Sequence, residues 1–141
     1  MMKRLCIPLT LCVVTIFPCV ASAASLTCAI APGGYSGPGG CGSTQPNDPY
    51  SASYAVTGLA PGTYTFVWSK TNQPGSKPTP PVSGCTTATC AQALSSWHNW
   101  LDQNVSVAVT NIATGVVQNL DVNVAIDAVC AGPIGGGYVW C

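Results

Sequence analysis

The amino-acid sequence predicts a mainly β protein: an antiparallel β-sandwich with one short helix and up to three disulfides. Three observations lead there. Residues 51–69, SASYAVTGLAPGTYTFVWS, alternate apolar and polar side chains on both sides of a turn. Residues 104–130 repeat that pattern with valines. Six cysteines follow an N-terminus of export type. Period-two alternation marks half-buried strands, and paired cysteines suit a small exported domain.

Lys3 and Arg4 precede a mostly apolar run from Leu5 to Val20, and Ala21-Ser22-Ala23 has the small-x-small form of a cleavage site. Residues 1–23 are therefore expected to be a secretory signal peptide cut before Ala24. A membrane anchor is the competing expectation, but the run is short for a span and the small-residue site follows it. Cys12 and Cys19 have no small-residue lipobox before them, which argues against lipidation. Residues 24–141 then form one domain of 118 residues, a size that supports a single core. No second apolar run is long enough for a membrane span. The expected location is secreted, periplasmic or cell-surface.

In residues 24–141 the only side-chain charges are Lys70 and Lys77 against Asp48, Asp102, Asp121 and Asp127, a net of −2. Two lysines cannot neutralise a row of phosphates, so nucleic acid is excluded as a partner, and adhesion to acidic membranes is disfavoured for the same reason. A surface so poor in charge favours neutral partners or itself.

Cys28, Cys41, Cys85, Cys90, Cys130 and Cys141 remain after cleavage. Six cysteines allow about fifteen pairings. Spacing favours three local staples, Cys28–Cys41, Cys85–Cys90 and Cys130–Cys141. The rival framework ties Cys28 to a cysteine near the C-terminus.

Taken in order, Ser25–Ala31 reads as a first strand. Residues 32–42, PGGYSGPGGCG, hold six glycines and read as a loop, because ordering glycine costs the most backbone entropy. A phosphate-binding loop is excluded there, since no Gly-Lys-Ser/Thr and no helix follow. Residues 45–49 are turn chemistry. In the hairpin expected over 51–69, Ala52, Tyr54 and Val56 share one face, as do Tyr64, Phe66 and Trp68. Pro61 and Gly62 make the turn between them. Residues 70–84, KTNQPGSKPTPPVSG, are expected to be a solvated, partly extended loop. Residues 89–103 place Cys90, Ala93, Leu94, Trp97 and Leu101 at helical spacing, which predicts a helix of about three turns capped by Thr89. A second hairpin spans 104–130. Val105, Val107 and Val109 share one face, and the return strand aligns Val116, Leu120, Val122, Val124, Ile126 and Ala128. Asn111 to Gly115 turn the chain. Residues 132–137 form a loop, and Tyr138–Cys141 a short last strand. CAIAPGGY at 28–35 echoes CAGPIGGGY at 130–138, as two similar stapled loops would. Six or seven strands are expected in all.

The Leu59-Ala60-Pro61-Gly62-Thr63-Tyr64 turn resembles that of bacterial immunoglobulin-like and fibronectin-III-like domains. The resemblance implies an immunoglobulin-like sandwich in which Leu59 anchors the core and the Tyr64 hydroxyl bonds back to the turn, a tyrosine corner. The motif bears on fold and not on function.

Reactive groups are scarce. His98 is the only histidine. Ser95 or Ser96, His98 and Asp102 lie on one short segment, where neighbours do not line up as nucleophile, base and orienter, and there is no Gly-x-Ser-x-Gly elbow. No catalytic residue is assigned. No cofactor or metal is expected: the sulfurs are assigned to disulfides, and one histidine does not make a zinc site. Asp121, Asn123 and Asp127 share a strand face, but alternate residues stand about 7 Å apart, too far to close on one calcium ion unaided. Trp97, His98, Asn99 and Trp100, with Tyr35 and Tyr138 in the glycine-rich loops, are the candidate binding residues, since exposed aromatics stack on sugars or anchor partner proteins. The bland alternative is that they cover the junction of helix and sheet. Asn104-Val105-Ser106 is a glycosylation sequon in a glycosylating host. The expected function is an exported, non-catalytic binding or surface-associated module for a protein or glycan. The alternatives are a self-assembling structural subunit and a small secreted inhibitor or hydrolase.

Overall fold

The computed structural model describes residues 23–37, 39–133 and 136–141. The expected signal peptide, apart from its last residue, lies outside the described residues.

Ten strands are present among the described residues: β1 Ser25–Ala31, β2 Gly34–Gly37, β3 Gly40–Ser43, β4 Tyr50–Thr57, β5 Tyr64–Asn72, β6 Thr89–Leu94, β7 Leu101–Asn111, β8 Val117–Ile126, β9 Val129–Ala131 and β10 Tyr138–Trp140. They form a three-stranded sheet β1-β4-β6, a five-stranded sheet β2-β3-β8-β7-β5 and a two-stranded ribbon β9-β10. One cluster of buried side chains draws on both larger sheets. Alternation is what places it: Tyr50, Ala52, Tyr54 and Val56 of β4 are buried, as are Leu101, Gln103, Val105, Val107 and Val109 of β7. The Tyr54 and Trp68 rings meet 6.2 Å apart, one from each sheet.

Three disulfides close the chain, Cys28–Cys41, Cys85–Cys90 and Cys130–Cys141. These are the three local staples, and none joins the chain ends. Cys28–Cys41 links β1 to β3 and so ties the two larger sheets together. Local pairing follows from chain geometry, since each loop brings its own cysteines within bonding reach.

Several expectations are corrected. No helix occupies 89–103. Cys90, Gln92 and Leu94 are buried at period two on β6, which pairs antiparallel with β4, and Ala93 is exposed. The helical spacing of Cys90, Leu94, Trp97 and Leu101 arises because two strands and the turn between them all bury apolar residues. Thr89 pairs with Ala55 and caps nothing. Residues 51–69 are not a hairpin either. Both strands form with the expected faces, but β4 pairs with β1 and β6 whereas β5 pairs with β7. The turn at 59–62 is an arch that carries the chain from one sheet to the other.

The glycine-rich stretch at 32–42 is also not a plain loop. It forms the β2-β3 hairpin. Its glycines are there for close approach: a Cβ at Gly34 would collide with the Ile30 carbonyl, and one at Gly42 with Ala125 O. Pairing is not antiparallel throughout, because β3 runs parallel to β8. The 70–84 segment is pinned and not freely solvated. Its first three residues complete β5, and Val82 is buried. Lys70 Nζ donates to Asn72 Oδ1 and to Thr79 Oγ1, and Lys77 Nζ donates to Ser95 Oγ and Trp97 O.

Other expectations match the structure. β7 and β8 form the second hairpin with Gly115 at φ 69°. Tyr64 Oη donates back to Ala60 O at 3.0 Å across the arch, and Leu59 packs against the core.

Candidate functional site: an aromatic end stapled by a disulfide

The 95–100 turn links β6 to β7 at one end of the molecule. Its backbone docks on β9: Trp97 bridges Val129 in parallel, His98 N donates to Val129 O at 2.9 Å, and Val129 N donates to Ser96 O at 3.0 Å. Val129 in turn pairs with Trp140 of β10. The backbone thus brings Trp97 and Trp140 to the same ribbon from opposite sides in sequence.

Side chains complete the cluster. The Trp97 ring stands edge-on to Tyr138, 5.9 Å between centroids, and to His98, 4.7 Å. Edge-to-face packing is the favoured geometry for such rings and contributes about 1 kcal/mol a pair beyond burial. Tyr138 and Trp140 remain 40% and 37% exposed, enough ring area to meet a ligand. The Cys130–Cys141 disulfide closes this ribbon, and Cys141 N donates to Ala128 O. His98 takes φ 60°, a left-handed conformation that is uncommon outside glycine and turns its ring toward the staple. Its Nδ1 lies 3.7 Å from Cys130 Sγ.

The candidate binding residues therefore divide. Trp97, His98 and Tyr138 come together. Trp100 is exposed but faces the 73–77 turn: Gly75 lies against its ring, and Lys77 N donates to Trp100 O. Asn99 reaches toward Gly75 O at 3.5 Å. Tyr35 stands apart on β2, laid over Gly42. Trp140 was not among the expected binding residues. Its position before Cys141 in a short terminal strand signalled structure; it lies on β10 two residues from Tyr138, with its backbone paired to Val129. His98 sits in a turn and not on a helix.

The serine-histidine-aspartate set is not assembled. Ser96 is fully buried, and Ser95 Oγ accepts from Lys77. His98 faces Cys130, and Asp102 Oδ1 accepts from Asn123 Nδ2 at 2.7 Å.

A second surface feature was missed. The outer side of β1-β4-β6 carries a groove of about 610 Å³ lined by Thr27, Ala29, Ser53, Ala55, Thr89 and Ala91 among others. It holds no charge and no exposed aromatic ring. Alternation left Ser53 and Ala55 facing outward, while the helix expected over 89–103 hid Thr89 and Ala91 from this surface.

Beneath the surface, a polar network crosses the core. Thr79 Oγ1 donates to Gln103 Oε1, Gln103 Nε2 donates to Gln92 Oε1 at 2.8 Å, and Tyr54 Oη donates to Gln92 Oε1 at 3.0 Å. Burial pushes the Tyr54 hydroxyl far up from its ordinary value, so it stays a neutral donor. Burial also lowers the Lys70 ammonium.

Comparison with known proteins finds no matching family model, no similar curated protein and no similar solved structure.

Proposed function

We propose that this chain is an exported, non-catalytic binding module that recognises a neutral ligand, a glycan or an uncharged protein surface, at the end built by Trp97, His98, Tyr138 and Trp140. One observation carries the reading: the edge-to-face Trp97–Tyr138 pair, held on a disulfide-closed ribbon with Tyr138 and Trp140 open to solvent. Preorganised aromatic rings lose little entropy on binding and offer apolar faces to sugar rings or apolar side chains. The low charge of the chain suits a neutral ligand. The three disulfides are of the kind that form in oxidising compartments and support export.

We read the two larger sheets as an immunoglobulin-like sandwich. On this reading β1-β4-β6 correspond to strands A, B and E, and β8-β7-β5 to G, F and C, with the Tyr64 turn between B and C and not at the corner before F. On that scaffold the aromatic end lies where connecting segments cluster, the usual place for recognition.

The test is a glycan array together with calorimetry on soluble oligosaccharides. Binding is expected, and Tyr138→Ala with Trp140→Ala should weaken it at least about tenfold, since each buried aromatic contact contributes on the order of 1 kcal/mol or more. Binding that the double substitution leaves unchanged would move the site elsewhere, with the β1-β4-β6 groove the next place to look.

Self-association is the second reading. Val67 is 65% exposed on β5, an edge strand with an unpaired side, and Val117 is exposed on β8 of the same sheet. An uncovered apolar edge favours strand addition. Sedimentation separates the readings: a monomer at high concentration removes this one.

A further inference from the structure

We propose that the Cys130–Cys141 disulfide is a removable cap on a soft-metal site, in which both cysteine thiolates and His98 Nδ1 bind Zn²⁺ once the disulfide is reduced. The donor atoms are already gathered: His98 Nδ1, Cys130 Sγ and Cys141 Sγ all lie within 4.8 Å of one another. The 3.7 Å between His98 Nδ1 and Cys130 Sγ is close to the roughly 3.5 Å that separates a nitrogen and a sulfur on tetrahedral zinc, given bonds of about 2.0 and 2.3 Å.

Access distinguishes this staple from the other two. Cys28, Cys41 and Cys90 are buried, so a sulfur of each of those disulfides is shielded on at least one side. Cys141 is exposed and Cys130 half-exposed. A thiol must reach a disulfide sulfur in order to exchange with it, so an external reductant opens Cys130–Cys141 first.

The scaffold keeps the donors together afterwards. β9 and β10 stay paired through their backbones, and Cys141 N donates to Ala128 O at 2.9 Å independently of the sulfur bond. On the histidine side, His98 N is held by Val129 O and its ring is held by Trp97. The sulfurs need only separate from bonding distance to the spacing of two ligands on one ion.

The chemistry balances with a thiol reductant. Two equivalents of RSH reduce the disulfide to two cysteine thiols and leave as RSSR. Zn²⁺ then displaces the two thiol protons, and the thiolates and imidazole occupy three positions. Three protein ligands leave a fourth position for water or a further donor, the coordination of an open zinc site.

The experiment uses the chain as exported, without residues 1–23 and their Cys6, Cys12 and Cys19, reduced stepwise with a phosphine and desalted without oxygen. Alkylation and mass spectrometry should label Cys130 and Cys141 before any other cysteine. Zn²⁺ alone, titrated by calorimetry, should bind one per chain, and Co²⁺ should show thiolate charge-transfer bands. His98→Ala should weaken Zn²⁺ binding at least about tenfold, because it leaves two ligands where an open site uses three. Cys130→Ser with Cys141→Ser should abolish it, with circular dichroism recording whether the sheets persist. Three results would overturn the proposal: earlier labelling of Cys28, Cys41, Cys85 or Cys90, no zinc uptake by the selectively reduced chain, or uptake unchanged in His98→Ala.

Discussion

Gln103 on β7 donates its side-chain amide to Gln92 Oε1 on β6 at 2.8 Å, across the space between the two larger sheets. Both side chains are buried, and Tyr54 and Thr79 complete their bonding. Gln92 Nε2 also donates to Pro80 O. The proline-rich segment is thereby fastened to the core by polar contacts where it has few apolar ones. Such a network is stabilising only when every member is satisfied.

Replacing one member strands the others. Gln103→Leu should destabilise the protein by about 2 to 3 kcal/mol, the cost of leaving buried donors and acceptors unpaired. Urea denaturation measures it. Gln92→Leu added to Gln103→Leu should cost less than the sum of the two single changes, because the partners share bonds. Strict additivity would show that the bond carries no coupling.

Alkali should weaken the fold through its buried tyrosines. Burial raises the hydroxyls of Tyr54 and Tyr50 above the unfolded value of 10.0. The folded state therefore holds protons that the unfolded state releases. Their contribution is complete below pH 10 and declines as the pH rises above it. Thermal midpoints recorded at rising pH should fall beyond that point, and Tyr54→Phe should flatten the fall while lowering stability at neutral pH.

The Cys28–Cys41 disulfide should be the most stabilising of the inner pair. It closes a separation of 13 residues and joins β1 to β3, whereas Cys85–Cys90 closes 5. Chain entropy assigns a loop of about 15 residues roughly 3 kcal/mol, and a shorter loop less. Paired serine substitutions at each disulfide, compared by denaturant midpoint, check the order.

The β2-β3 hairpin should discriminate among its glycines. Gly34→Ala drives a Cβ into the Ile30 backbone, which cannot yield, whereas Gly37 has open space around it. Gly34→Ala is expected to cost several kcal/mol and Gly37→Ala to be near neutral, on the order of 1 kcal/mol either way. Equal effects would mean that the close approach is not what selects glycine.

Tyr64→Phe removes the hydroxyl that donates to Ala60 O. A net loss of about 1 kcal/mol is expected, the usual contribution of one intramolecular hydrogen bond. A larger loss would show that the arch needs this bond to form at all.

Much of this architecture was legible along the chain. The strands over 25–31, 51–57, 64–69, 104–111 and 117–126 follow from alternation, because one face of each meets the core and the other meets water. The backward Tyr64–Ala60 bond followed from a six-residue motif, and the disulfides from short spacings. Residues 89–103 were misread as a helix because two short apolar strand ends and the turn between them also satisfy the helical period, and only the backbone partners offered by β4, β5 and β8 select the strands. The glycine-rich hairpin was hidden because entropy argues against glycine in a strand, and the opposing requirement, a neighbouring backbone too close for any Cβ, comes from Ile30 and Ala125.

The candidate site was half legible. Trp97, His98 and Tyr138 stood out by residue type. That they meet depends on Val129, which pairs with Trp97 on one side and with Trp140 of the strand carrying Tyr138 on the other. Alternation, turn chemistry and cysteine spacing are local properties, and by themselves they determined a β-rich, charge-poor, triply stapled chain. Which strands pair is a non-local choice among segments with similar faces. Tertiary structure made that choice by closing one core, so it alone decided that 51–69 spans two sheets and that His98 lies against a disulfide.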